Sequence, residues 1–195
     1  MSFPTFFRID EESLKIKDYL VAELINNGKV RPILTFYRID IPLFTVYFPL
    51  VQTQEERETT LIQAVWLNST LKGDGILFGI DSSIGLTDLE GNSYHQDLFL
   101  LFFANKMGAF VDPQCYNHNK DDNKIEWVEK QLNEDEIMVS QERIVMFLAS
   151  QFFFVEHVLP WQPYLNNLKN KGFDFTFHHP FDEKSLQFTQ SYLHS

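Results

Sequence analysis

The chain has 195 residues, of which 44% are hydrophobic, and 20 are phenylalanine. This content is typical of one folded domain with a filled core, and it excludes a disordered chain. The formal net charge of −11 disfavours nucleic acid and anionic membranes as partners, because both carry negative charge themselves. We therefore predict a single domain spanning 1–195, with no nucleic-acid partner and no membrane partner.

Cysteine usage and the apolar runs indicate the compartment. Cys115 is the one cysteine, so no intramolecular disulfide forms, which is typical of a reducing environment. The stretch 1–13 lacks a basic segment followed by an apolar core, as a secretory signal would have. The longest apolar runs, 97–104 and 144–155, are shorter than the roughly 20 residues of a membrane-spanning helix. We expect a soluble, cytoplasmic protein.

The chain begins with a predicted helix followed by two strands. Asp10 is expected to cap a helix that runs to about Asn27, and Gly28 is well placed to end it because glycine tolerates positive φ. Alternating and apolar β-rich runs then predict strands at 33–39 and 43–51.

A covering helix and a returning strand complete this first unit. Thr53 and Glu56 have the spacing of a capping box, in which each side chain satisfies an exposed backbone donor. The following helix is expected over 54–72, with Gly73 at its end, and strand 75–80 comes next.

The second half alternates between apolar runs and one polar stretch. The nearly continuous apolar run 97–104 predicts a central strand covered on both faces. Residues 117–136 are read as an exposed polar excursion with a short strand or helical turn at 125–128. The remaining predicted elements are a strand at 109–116, a largely buried helix at 140–158, a short helix at 163–171 closed by Gly172, a strand at 173–179 and a helix capped by Asp182.

These elements predict an α+β fold. We expect a mostly antiparallel sheet of about five strands, covered by two main helices at 54–72 and 140–158. The chain has no internal repeat and no Pro/Gly/Ser-rich linker, which favours one domain.

Four polar residues around strand 75–80 form the preferred candidate site. The sequence has no Gly-rich phosphate loop, no GxSxG, no HExxH and no CxxC. Asp81 and Ser83 follow the strand, and His95 and Asp97 would face them if the next strand pairs with it as a hairpin. The simpler alternative is turn chemistry, in which Asp and Ser bond their own backbone at strand ends.

Two histidine-containing groups are weaker candidates for metal binding. His178 and His179 are adjacent and would point to opposite faces of a strand, so only one of them could join Glu156 or His157 in a site. The segment 116–123 offers His118, Asp121 and Asp122, whose oxygens suit a hard cation, but it lacks EF-hand spacing. Solvated loops and strand ends explain both groups more simply, and we predict no metal site and no cofactor.

Two further patterns could carry catalysis. Asp112 with Asp122 and Lys124 superficially resembles the acidic pair and lysine of restriction-type nucleases, although the proline follows the aspartate instead of preceding it. Cys115 could be a nucleophile if His118 lowered the pKa of its thiol, but a lone thiol beside a strand is more often a small buried hydrophobe.

Because no catalytic constellation is convincing, the favoured function is a non-catalytic protein-interaction or regulatory module. Phe152, Phe153 and Phe154 span three successive positions of a predicted helix, so either the core or a subunit interface would cover them, and a homodimer is one form of the partner. One variant is an inhibitor whose acidic face, including 117–136, covers a basic partner site. The alternatives are a metal-assisted hydrolase or nuclease that uses carboxylates such as Asp81, Asp97 or Asp122, with His95 beside the first two, and a small-molecule pocket lined by phenylalanines.

Overall fold

The computed structural model describes residues 9–38, 41–50, 73–87, 90–105, 108–129 and 161–178 of the chain. Seven strands form one sheet in the order β6-β5-β4-β3-β1-β2-β7, and every neighbouring pair is antiparallel. The elements in chain order are α1 (Ile9–Asn27), β1 (Ile33–Arg38), β2 (Ile41–Tyr47), β3 (Gly75–Thr87), β4 (Ser93–Asn105), β5 (Gly108–Asn119), β6 (Lys124–Trp127), α2 (Trp161–Asn170) and β7 (Asp174–Phe177).

The predicted fold class was wrong in the size of the sheet and in its covering helices. The sheet has seven strands and not about five, because the segment expected as a short strand or helical turn at 125–128 forms β6 and the strand predicted at 173–179 joins the same sheet as β7. The helices that the structure describes are α1 and the ten-residue α2. The helices predicted at 54–72 and 140–158, and the cap at Asp182, lie outside the described residues.

Strand ends also differ from the sequence prediction. β3 continues from Gly75 to Thr87, well past the predicted end at 80, and β4 begins at Ser93 and not at 97. The added residues are mostly polar and partly exposed, so they carry no apolar signal, and pairing with each other fixes them as strands. Such tertiary pairing routinely overrides local propensity.

Gly28 ends α1 as predicted. Its φ is +66°, and its N–H donates to the Leu24 carbonyl at 2.9 Å, which satisfies one of the last carbonyls of the helix. The helix begins at Ile9, so Asp10 lies inside the first turn and not at the capping position. Gly172, with φ of +87°, similarly follows the end of α2.

The two faces of the sheet carry separate hydrophobic clusters. Alternate residues of a strand point to opposite faces, so odd-numbered positions of β3 and β4, such as Leu77 and Phe99, share the face that α1 covers. We call this the α1 face, and it packs against Ile16, Leu20 and Leu24 of the helix. The opposite face holds the larger cluster, with Leu165 and Leu168 of α2 and the phenylalanines Phe36, Phe44, Phe48, Phe78, Phe102 and Phe173.

Gly79 of β3 allows α1 to lie directly on the sheet. A Cβ atom at this position would be 2.6 Å from Cγ2 of Ile16 and 3.2 Å from both Cγ2 of Ile33 and Cδ1 of Leu20. Real Cβ atoms essentially never approach another atom to 2.6 Å, and Cγ2 of Ile16 has little freedom to move because isoleucine in a helix strongly prefers one χ1 rotamer. The helix therefore packs on backbone at this point.

Gly79→Ala is expected to lower the free energy of unfolding by about 1–3 kcal/mol, the usual cost of inserting a methyl group into a packed core. Urea denaturation followed by circular dichroism measures the change. Gly85→Ala on the same strand is the matched control, because the nearest atom to its Cβ is Cε1 of His95, 4.0 Å away. Equal destabilisation by the two substitutions would contradict the close approach of α1 at Gly79.

Candidate functional site

All four residues of the preferred candidate site lie on the α1 face. Ser83 pairs directly with Asp97 across β3 and β4, Gly85 pairs with His95, and Asp81 pairs with Phe99. Ser83, His95 and Asp97 are exposed, and Asp81 is half-buried, so they lie beyond the part of the face that α1 covers. The predicted hairpin pairing therefore brings these side chains to one side of the sheet.

The rung through Ser83 and Asp97 continues across two further strands. Asp97 pairs with Tyr116 of β5, and Tyr116 pairs with Trp127 of β6. We call Ser83, Asp97, Tyr116 and Trp127 the polar row. The row crosses four adjacent strands on the α1 face, along the border between the covered and the exposed parts of that face.

Sequence reasoning missed Tyr116 and Trp127 as members of this site. Their place in the row follows from the registers of β4 with β5 and of β5 with β6. A tryptophan in a short polar stretch is the one local signal that could have drawn attention to β6, because an exposed indole is unusual in a solvated loop.

Tyr116 connects the two carboxylates of the site. Its hydroxyl donates to Oδ1 of Asp81 at 2.7 Å, and its ring stacks on Phe99 with 4.4 Å between centroids. Burial raises the pKa of Tyr116 well above its usual value, and the hydrogen bond and charge of Asp81 and the charge of Asp97 raise it further. The phenol therefore stays protonated and acts as a donor, which rules it out as a general base near neutral pH.

Trp127 holds a cation from α1. Nζ of Lys17 lies 3.7 Å from the centroid of the indole ring, which is a cation–π contact. The same ammonium donates to Oε1 of Gln114 at 2.9 Å, and Nε2 of Gln114 donates to Oδ1 of Asp112 at 2.8 Å. Trp127 is still 45% exposed, so the indole also faces solvent.

The chemistry available along the row is that of acceptor oxygens beside aromatic rings. Such a surface attracts cations and hydrogen-bond donors. Among the residues that the structure describes, no three His, Cys, Asp or Glu side chains are grouped so that they could hold one metal ion.

Neither the metal-binding candidate around His118 nor the nuclease-like trio of Asp112, Asp122 and Lys124 forms a site near the turn between β5 and β6. Nε2 of His118 lies 3.1 Å from Oδ1 of Asn123, and Asp122 forms an ion pair with Lys124 at 3.3 Å. Asp112 precedes the end of β5 by seven residues, which places it about 20 Å along the strand from the turn that holds Asp122. The nuclease-like trio is therefore not assembled.

Cys115 and His118 point to opposite faces of β5. The thiol is 4% exposed and belongs to the cluster on the face away from α1, so His118 is not positioned to lower its pKa. Cys115 packs as a small hydrophobe.

His178 is the one residue of the predicted group formed by His178 or His179 with Glu156 or His157 that the structure describes. Nε2 of His178 is 2.7 Å from Oγ1 of Thr45, so a side-chain hydroxyl bonds this nitrogen. The proposed companions Glu156, His157 and His179 lie outside the described residues, as do Phe152, Phe153 and Phe154.

Comparison with known proteins adds no family to this description. No family model, no curated protein and no solved structure matches the chain. Neither α1 nor α2 is long and apolar enough to cross a membrane.

The hydrogen bond between Tyr116 and Asp81 is expected to be worth about 1.5–3 kcal/mol, the usual range for a bond to a charged group. A double-mutant cycle with Tyr116→Phe, Asp81→Ala and the pair isolates this energy by urea denaturation, because alanine offers no acceptor. The cycle is needed because Asp81 makes further contacts, which cancel in the coupling term. A coupling energy near zero would show that the two side chains do not interact in solution.

Proposed function

We propose that this protein is a non-catalytic interaction module that binds a basic segment of a partner protein along the polar row. The proposal rests on the cation–π contact between Lys17 and Trp127, because this contact shows that the site accommodates an ammonium group of the same molecule. A lysine or arginine of the partner would contact the solvent-exposed part of the same indole ring. Asp97, which belongs to the same row of paired residues, would supply a negative charge nearby.

The charge of the surface supports a basic partner. Asp81 and Asp97 act together on Tyr116, so they lie near each other on the sheet. Complementary charge speeds encounter and selects partners, and it matters most at exposed sites in low salt. A net charge of −11 also makes two copies of this chain repel each other, which favours a different, basic protein over a homodimer on this face.

The hydroxyl of Tyr116 is not available as a general base at the row. A general base must be able to accept a proton, whereas the hydroxyl of Tyr116 remains protonated and donates to Asp81. The row offers neither an activated nucleophile nor a described cluster of metal ligands.

The proposal is tested by calorimetric titration of the full chain with a synthetic peptide of alternating lysine and glycine. Asp97→Asn is expected to weaken binding about two- to fivefold, the effect of losing one exposed ion pair. Asp18→Asn is the matched control, because it removes the same charge from an exposed position of α1. Binding of the wild-type protein should weaken between 50 mM and 300 mM salt, as expected for exposed charges.

Three outcomes would overturn the proposal: salt-insensitive binding, equal effects of the two substitutions, or equal affinity for an alternating glutamate and glycine peptide. A parallel thermal melt with Mg²⁺, Mn²⁺ and EDTA separates the alternative class. A metal-dependent rise in Tm that EDTA reverses would favour the metal-assisted hydrolase or nuclease.

A further inference from the structure

A second polar group lies on the α1 face, under the beginning of the helix and away from the polar row. The Tyr37 hydroxyl donates to Oε2 of Glu12 at 3.0 Å. Oγ1 of Thr35 lies 2.9 Å from Oγ1 of Thr45, which in turn lies 2.7 Å from Nε2 of His178. Thr35 and Tyr37 are two residues apart on β1, so they share a face. We call these five residues the Glu12–His178 network.

The network joins four elements of the fold. Glu12 belongs to α1, Thr35 and Tyr37 to β1, Thr45 to β2, and His178 follows directly after β7. Tyr37 is 1% exposed, and both threonines are 4% exposed. Buried hydroxyls at such depth need partners, because an unmade hydrogen bond costs the full desolvation of the group.

The carboxylate at one end sets the direction of its own bond. An ionised Glu12 only accepts, so the Tyr37 hydroxyl donates to it. Either hydroxyl can donate in the bond between Thr35 and Thr45. Nε2 of the neutral His178 ring bonds Thr45 as a donor in one tautomer and as an acceptor in the other.

We propose that His178 is a proton-sensitive latch that holds β7 against β2. The neutral imidazole completes the Glu12–His178 network through Nε2. A second proton makes the half-buried ring a cation and favours the state in which the end of β7 opens to water.

The groups around His178 shift its pKa in opposite directions. Burial lowers the pKa of His178 below its usual 6.5, the Glu12 carboxylate raises it, and the Lys15 ammonium lowers it again. Tyr37 from β1 is protonated and neutral, β2 contributes the uncharged Thr45, and Asp174 at the start of β7 is bound to Arg31. Burial is the largest of these effects, so the net result favours the neutral ring.

The sign of the pH dependence follows from this lowered pKa. The opened state binds the second proton at about pH 6.5, whereas the closed state binds it only at lower pH. Neutral His178 therefore contributes its full stabilisation of the closed state above pH 6.5. As the pH falls from 6.5 to the pKa of the closed state, the equilibrium constant for closing decreases by at most about tenfold per pH unit.

β7 is the element most exposed to such an opening. It has four residues and pairs with β2 on one side, at the edge of the sheet. The N–H of His178 donates to the carbonyl of Leu43 at 3.1 Å, and Nη1 of Arg31 donates to Oδ2 of Asp174 at 2.9 Å. Short edge strands are typically among the segments that open locally before global unfolding.

Hydrogen exchange of the full chain tests the latch. The protection factors of the amides from Asp174 to His178 are measured between pH 7.5 and 5, with intrinsic exchange corrected for. The wild-type protein should lose protection there by up to about tenfold per pH unit below pH 6.5. His178→Gln should remove this pH dependence, because its amide can also bond Thr45 but does not titrate. His95→Gln, at an exposed histidine far along the sheet, should leave it unchanged.

A second measurement needs no substitution. Two-bond ¹⁵N–¹H spectra of the wild-type imidazoles should show that His178 titrates below pH 6.5. The inference is overturned if β7 protection is independent of pH, if His178→Gln retains the wild-type pH dependence, or if His178 titrates at or above pH 6.5.

Discussion

The close packing of α1 on Gly79 is the contact on which the rest of the described structure depends. Because β3 has no Cβ at this point, Ile16 and Leu20 reach the sheet, and the helix covers β1, β3 and β4 together. The same placement brings Glu12 to Tyr37 at one end of the helix and Lys17 to Trp127 on another side. One helix therefore supplies part of the buried cluster of this face, one member of the Glu12–His178 network and the lysine that contacts the polar row.

The position of α1 also decides which part of the sheet faces solvent. β3 and β4 have 13 residues each, whereas β1 has six and β2 has seven. The longer pair extends beyond the helix, so its last residues on the α1 face are exposed. An antiparallel sheet can leave part of one face in water when the other face is packed, and here the phenylalanine-rich cluster lies on the other face. The exposed carboxylates are a consequence of strand length.

The sequence predicted local features much better than long-range ones. The bounds of α1 and the role of Gly28 follow from spacing and from glycine's tolerance of positive φ, and the structure agrees closely. The apolar run at 97–104 likewise marks the buried centre of β4. β6 was expected only as a short strand or helical turn at 125–128, and the ends of β3 and β4 were not predicted, because their residues are polar and pairing with a neighbouring strand is what makes them extended.

The same distinction explains the candidate site. Asp81, Ser83, His95 and Asp97 come from two strands that are adjacent in sequence, so a hairpin hypothesis was enough to group them. Tyr116 and Trp127 join the row through registers that no local pattern encodes. The Glu12–His178 network is further from prediction, since it connects residues up to 166 positions apart, as the numbers of its first and last members show. Helices and hairpins can be read locally, whereas polar contacts between distant segments depend on the assembled sheet.

Arg31 links α1 to β7, two elements that are far apart in the sequence. It lies between α1 and β1, and its guanidinium pairs with Glu23 of the helix at 3.0 Å and with Asp174 of β7 at 2.9 Å. Since Asp174 is 70% exposed, that ion pair contributes little by itself, as exposed pairs generally do. Phe175 stacks on Phe44 and Phe177 packs against Phe44 at a tilt, and these contacts hold β7 from the other face, where burial is extensive. The α1 face of this edge strand is therefore held by polar contacts and the opposite face by aromatic ones, which leaves His178 as its titratable contact close to neutral pH.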